Sequence, residues 1–319
     1  MPAPALIRLA AGACMAVLVA ATSAFAAEAV YPIGSRVGLS PPGKMQLSAN
    51  IRGFEDHDAQ AMMLVLEMPA NAYPEVEKSL SPETFQKQGM IPEKRESMTL
   101  AAGKGLLVTG RQESDGHKVR KWIFLATLPE LTVLIAVQIP EAAADVYPDA
   151  AVRTALASLT VRASVPVDEL LKLVPIVFDD LSGLRPFRVV PPNLIFLTEG
   201  PKDTMEAAEQ PIFAVSIGSG GPEKTPDRDN FARNLLSGMA EFKDVRIVSR
   251  DMLKLGMIPM HEIQAEAKDA KTDVAMKFVQ WVRFGNGGFV RMVGIARADA
   301  WRDAFPRFRT VRDSIRPPQ

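Results

Sequence analysis

Phe278-Val279-Gln280-Trp281-Val282-Arg283-Phe284, then Asn286-Gly287-Gly288, then Phe289 to Ile295, reads as a β-hairpin. Asn-Gly between two apolar runs is the strongest short-range hairpin signal, because a tight two-residue turn needs positive φ at its centre. Both alternating faces of these runs are largely apolar. A hairpin with one wet face would alternate apolar with polar. The two strands are therefore central, and the sheet holding them is covered on both sides.

Working outward, the same pattern occurs once more. Trp122-Ile123-Phe124-Leu125-Ala126, a turn at Leu128-Pro129-Glu130, and Val133-Leu134-Ile135-Ala136-Val137 form a second doubly apolar hairpin. A duplication gives matches at a nearly constant offset that drifts only where loops differ. Ser40-Pro41-Pro42 matches Val190-Pro191-Pro192, Lys121-Trp122 matches Lys277-Phe278, and Asp145 to Pro148 matches Asp303 to Pro306. Leu159 to Arg162 matches Asp313 to Arg316, stepping back as a shorter closing helix in the second copy would require. The tetrapeptide GMIP also occurs twice, at Gly89 and at Gly256, but out of this register, so it is a chance echo.

Helices fill the gaps between strands. Pro148 and Pro306 suit first helical turns, where a missing N–H costs nothing. Val152, Ala155, Leu156 and Leu159 follow at helical spacing. Before each central hairpin lies another helix. The first runs from Tyr73 to Gln88 with a break at Ser81-Pro82. The second starts near Asp227 or Asp229 as cap and carries Phe231, Leu235, Met239 and Phe242 on one stripe. The expected fold class is α+β: two tandem repeats, each an antiparallel sheet with helices on both faces, an α/β/α sandwich. The expected bounds are 31–165 and 176–319, joined by a linker at 166–175 with a short helix over Asp168 to Leu173.

The beginning of the chain predicts export. Arg8 precedes an apolar run from Leu9 to about Ala21, and Ala24-Phe25-Ala26 offers a cleavage site before Ala27. That is the layout of a secretory signal peptide over 1–26. The run is short of the roughly 20 residues a membrane span needs. Cleavage would remove Cys14, the one cysteine, so the mature chain would have no disulfide, no thiol nucleophile and no thiolate metal ligand. It would also remove Arg8 and leave 36 basic against 37 acidic side chains. Such a balance gives no electrostatic case for nucleic acid. The expected compartment is the periplasm or the exterior.

The order of elements resembles the PsbP-like fold. The points of similarity are an early strand near proline (Leu39 to Pro42; Val189 to Pro192), a helix after the first hairpin, a long central hairpin and a closing helix. That superfamily includes the extrinsic photosystem II protein, a Ran-binding nuclear transport factor and exported proteins of the DcrB kind. The whole chain also resembles tandem exported proteins of alphaproteobacteria. The resemblance implies a fold and a non-catalytic, protein-contacting tendency. It carries no catalytic residues, and fold alone does not assign function.

The residues themselves offer several sites. Ile217 to Thr225 imitates a phosphate loop, but Glu223 stands where glycine must precede the lysine. It reads as a connection. Glu55-Asp56-His57-Asp58 could offer metal ligands from a turn, although four consecutive side chains cannot all face one ion in a strand or helix. Its plainer reading is a solvated hairpin tip. His57, His117 and His261 lie far apart, none in a metal motif, and there is no G-x-S-x-G elbow. A hydrolase would have to use His57 or His261. Arg297, Trp301, Arg302 and Asp303 could form a contact patch, since Trp and Arg are enriched at hot spots. The alternative packs Trp301 and Phe305 inward. Of the methionines, only Met62-Met63 and Met257 to Met260 approach a copper-site spacing, and both lie in apolar runs that suit core filling. No cofactor is called for. The expectation is a non-catalytic binding or assembly module of the envelope, with another envelope protein or an apolar small ligand as partner. The alternatives are a hydrolase and a metal carrier.

Overall fold

The computed structural model describes residues 28–318, except positions 101, 102, 115, 129, 257 and 286. The signal-peptide reading of 1–26 lies outside the described residues. The first half holds β1 (Val37–Gly38), β2 (Gln46–Leu47), β3 (Gly53–Asp56), β4 (Ala61–Pro69), α1 (Tyr73–Ser79), α2 (Pro82–Lys87), β5 (Met90–Leu100), β6 (Gly103–Ser114), β7 (His117–Thr127), β8 (Leu131–Pro140), α3 (Asp149–Ala157) and β9 (Thr160–Val161). After α4 (Val167–Leu171) come β10 (Val177–Phe178), β11 (Arg185–Val190), β12 (Leu194–Thr198), β13 (Ile212–Ser219), α5 (Thr225–Ser237), β14 (Phe242–Leu255), β15 (Ile258–Asp269), β16 (Ala275–Gly285), β17 (Gly288–Arg297), α6 (Trp301–Ser314) and β18 (Ile315–Arg316).

Two antiparallel seven-stranded sheets result, ordered β2-β3-β4-β8-β7-β6-β5 and β11-β12-β13-β17-β16-β15-β14. Adding nine to each label of the first gives the second. The small pairs β1-β9 and β10-β18 obey the same rule. The fold is a tandem α+β repeat, with the duplication written in its topology.

Helices cover both faces of each sheet. In the first, Val152, Ala155 and Leu156 of α3 join Leu107, Trp122 and Phe124 on one side. Leu80 and Phe85 join Leu106, Val108 and Leu125 on the other. In the second, Ala304, Phe308 and Val311 of α6 meet Val279, Trp281 and Met292. Ala232 and Leu236 of α5 meet Ile263, Phe278 and Val282. This is why both alternations of the central hairpin are apolar. Each fully buried large side chain contributes roughly 1.5–3 kcal/mol. Gln280 is the polar exception, and it is bonded: its amide donates to the Ala232 carbonyl at 2.7 Å and its oxygen accepts from Arg291 Nε at 2.7 Å. Arg291 also donates to the Leu235 carbonyl at 2.9 Å, so one open carbonyl in the last turn of α5 finds a partner beneath it.

The anchors that exposed the duplication need correction. Pro41-Pro42 lie between β1 and β2, whereas Pro191-Pro192 lie between β11 and β12, so they are not counterparts. Trp122 faces the α3 layer, but Phe278 faces the α5 layer, which is the opposite face. A one-residue slip in a strand reverses every side chain. Trp281 shares the face of Trp122 in the corresponding strand. Pro306 lies inside α6 and not in its first turn, and α6 is longer than α3, at 14 residues against 9. The cap of α5 is Lys224, and Phe242 belongs to β14. Gly89 lies between α2 and β5 and Gly256 between β14 and β15, so the two GMIP stretches occupy different places in their repeats.

Candidate functional site

The α6 face of the second sheet leaves a cleft of about 400 Å³ where β14 and β15 diverge from α6. Alternation places Met260, Glu262 and Gln264 of β15 on this face. Leu253 and Leu255 of β14 and Phe305 of α6 complete an apolar wall. Arg309 and Arg312 bring two cations, and Lys254 adds a third at the rim, from the opposite alternation of β14.

Glu262 and Arg312 are buried, their side chains 9% and 7% exposed. Burying charges is costly unless they are paired and bonded. Glu262 Oε2 accepts from the Trp281 indole N–H at 2.6 Å, and Oε1 accepts from Gln264 Nε2 at 2.8 Å. Arg312 donates from Nε and Nη2 to the Asp313 carboxylate at 2.7 and 2.9 Å, and its guanidinium lies 4.9 Å over the Trp281 ring. Arg312 Nη1 stands 3.7 Å from Glu262 Oε2, an ion-pair distance too long for a hydrogen bond. Nη1 is buried without a hydrogen-bond partner among the described residues. An unmade buried bond of this kind costs ~1–3 kcal/mol. Phe305 stacks on Trp281 with centroids 6.2 Å apart, and Trp301 stacks on Phe305 at 5.2 Å.

The first repeat has a comparable cleft between α3 and β5–β7, about 350 Å³, lined by Lys94, Arg120, Trp122, Asp149 and Arg153 among others. There the Trp122 indole N–H donates to Asp149 Oδ1 at 2.7 Å, and Arg153 bridges Asp149 at 2.5 Å and Glu96 at 2.8 Å. Lys94 also holds Glu96 at 2.8 Å. Burial by itself would raise the Asp149 pKa, but the bonds from Trp122 and Arg153 outweigh it and hold the carboxyl below its ordinary range. The walls are polar, and Thr109 stands opposite Trp122 where Glu262 stands opposite Trp281.

The residues singled out in the sequence lie elsewhere. Asp56 is a structural group: its Oδ2 accepts from Tyr147 Oη at 2.5 Å and its Oδ1 from the N–H groups of Asp58 and Ala59 at 3.1 Å each. The Tyr147 bond, first, and those backbone bonds lower the Asp56 pKa. His57 reaches Glu55 at 3.1 Å on the exposed tip between β3 and β4. Among the described residues, no group of three or more His, Cys, Asp or Glu could hold a metal ion. His117 begins β7 and is exposed, while His261 is buried in β15 with its ring edge-on to Phe284 at 5.7 Å. Desolvation pushes the His261 pKa down, opposed by Asp229. The three histidines thus occupy separate places. Arg297 is bonded to Asp299 at 2.7 and 3.0 Å. Trp301 is half-buried in the ring stack, whereas Arg302 and Asp303 are exposed. Glu262 and Arg312 were not read as a site. Their signals were a carboxylate inside an apolar strand and an arginine on the stripe of Phe308, Val311 and Ile315.

A second exposed feature borders the cleft. β14 is the edge of its sheet, and every residue from Lys243 to Val248 is exposed. Val245, Ile247, Val248 and Met252 are 44%, 41%, 58% and 48% exposed. Two register shifts interrupt its first half, but Ser249 to Leu255 pair regularly with β15.

No family model matches the chain, and no curated protein does. Several solved structures are similar. One is LpqN, involved in cell envelope biogenesis of Mycobacterium tuberculosis, at 12% identity over 45% of this chain and 83% of that one, TM-score 0.35. Another is cyanobacterial PsbP from Synechocystis sp. PCC 6803, at 12% identity over 45% and 91%, TM-score 0.29. A third is the T6SS immunity protein TplEi from Pseudomonas aeruginosa, at 12% identity over 91% and 97%, TM-score 0.29. Among the described residues, no helix is long and apolar enough to cross a membrane.

Proposed function

We propose that this chain is an exported, non-catalytic binding module of the cell envelope, built of two PsbP-like repeats over 31–165 and 176–319. Residues 1–26 direct it to the periplasm and are removed. Its partner is an envelope protein that adds an extended segment to β14. The observation that carries this reading is the exposure of that edge strand. An edge strand presents unpaired N–H and C=O groups, and proteins usually keep such edges short, charged or covered. The bulges and cations of β14 guard its first half, while Ser249 to Leu255 remain a regular template with Met252 exposed. Strand addition takes affinity from main-chain bonds and specificity from alternate side chains.

A photo-crosslinking residue at Met252, in cells that export the protein, tests this. A discrete adduct is expected there and not from Ile91 on β5, the corresponding edge of the first repeat. Equal labelling from both positions, or none from Met252, overturns the reading. Export is checked by the mass of the mature chain, which should begin at Ala27.

A further inference from the structure

The cleft beneath α6 holds a buried cationic donor that lacks a hydrogen-bond partner among the described residues. Both oxygens of Glu262 are occupied by Trp281 and Gln264. The Asp313 carboxylate already takes two N–H groups of Arg312. Arg312 Nη1 stays buried and unbonded. Lys254 and Arg309, exposed among the lining residues, form no ion pair among the described residues. A ligand that satisfies Nη1 must supply an acceptor, and a charged one bonds it best, because this donor and the exposed side chains beside it are cationic.

We propose that the cleft binds a monocarboxylate with an apolar body. The head group would accept from Arg312 Nη1, with Lys254 and Arg309 drawing it in. The body would lie against Leu255, Met260 and Phe305, which bound the cleft on its apolar side. Glu262 sets the limit on charge. Its carboxylate stands 3.7 Å from the same nitrogen, so a doubly charged head group would face about twice the repulsion that a singly charged one does. A cleft of about 400 Å³ lies at the small end of ligand sites and suits a short chain. The first repeat lacks this combination, since Arg153 there is shared between Asp149 and Glu96. The inference is independent of strand addition at β14, and either can fail alone.

Calorimetric titration of the mature chain with hexanoate, hexanol, hexyl phosphate and inorganic phosphate tests it. Hexanoate should saturate one site per chain, with the other three at least about tenfold weaker, the loss expected for one missing charge-assisted bond. Arg312→Met should abolish the hexanoate signal. Because that change also strips Glu262 of its partner and could prevent folding, the surface double variant Lys254→Gln/Arg309→Gln supplies the second arm. It should keep the melting temperature and weaken hexanoate several-fold through lost attraction. No hexanoate binding to the folded wild type overturns the proposal. So does equal binding of hexanol, tighter binding of either phosphate, or affinity unchanged in the double variant.

Discussion

The two repeats carry the same nine strands in the same order, yet they treat one layer differently. Each puts a tryptophan on the face under its closing helix, and each must give the indole N–H an acceptor. In the first repeat the acceptor is Asp149, at the start of α3, with its side chain 42% exposed. In the second it is Glu262, in the middle of β15 and buried. A carboxylate at a helix terminus shares its charge with water and with Arg153. A carboxylate in a strand has only what the protein brings. The scaffold sets where the bond is needed, and the element that supplies it sets how much charge is buried.

The largest test of this difference removes each acceptor. Glu262→Ala should destabilise by ~3–5 kcal/mol, because a buried arginine loses a partner. Asp149→Ala should cost less, ~1–3 kcal/mol, because the buried Trp122 indole N–H loses its acceptor while Arg153 keeps Glu96 and water. Chemical denaturation of the two variants measures both, and equal losses would erase the distinction. Next in size is the donor. Trp281→Phe should cost roughly 2–3 kcal/mol by leaving a buried carboxylate short of a bond, and Trp122→Phe about 1 kcal/mol.

The two repeats should also fail at opposite ends of the pH scale. His261 in the second has a folded pKa below its ordinary 6.5. As pH falls below 6.5 the unfolded chain takes up a proton that the folded chain refuses, so stability declines until the folded value is reached, by at most ~1.4 kcal/mol per pH unit. His261→Gln should flatten that limb of a stability–pH curve. Tyr147 in the first repeat is pushed up to about 12 by burial and by its bond to Asp56. Unfolded tyrosine ionises near 10, so stability there should fall as pH rises from 10 towards 12. Tyr147→Phe should remove that decline.

Much of the architecture was legible in the sequence. The doubly apolar hairpins gave covered central strands, and the break at Ser81-Pro82 did split the helix between Tyr73 and Gln88. Register was harder. Matching Trp122 to Phe278 respected residue type but inverted the face, because two neighbouring apolar residues on a doubly covered strand look alike to a periodicity argument. Pro306 misled because a proline within a helix and one at its start have the same neighbours in sequence. The cleft was least legible. Glu262 and Arg312 are fifty residues apart, and a charge in a strand or on a helix reads as wet until its partners are known. Conversely Asp56 reads as part of a solvated hairpin tip with weak metal-ligand potential, and only the fold brings Tyr147 to it.

The short helix α4 has one further consequence. Arg162 of the first repeat grips Glu169 through two bonds, at 2.5 and 2.8 Å, while Val167, Leu170 and Leu171 pack into the core of the second. Gly34 has φ +75°, and a Cβ there would strike Leu173 at 2.5 Å. The connection therefore has a phase. One residue inserted between Glu169 and Leu170 would turn the second grip by about 100° relative to the first. The segment acts as a keyed shaft, and its length cannot drift by single residues as a flexible tether's can.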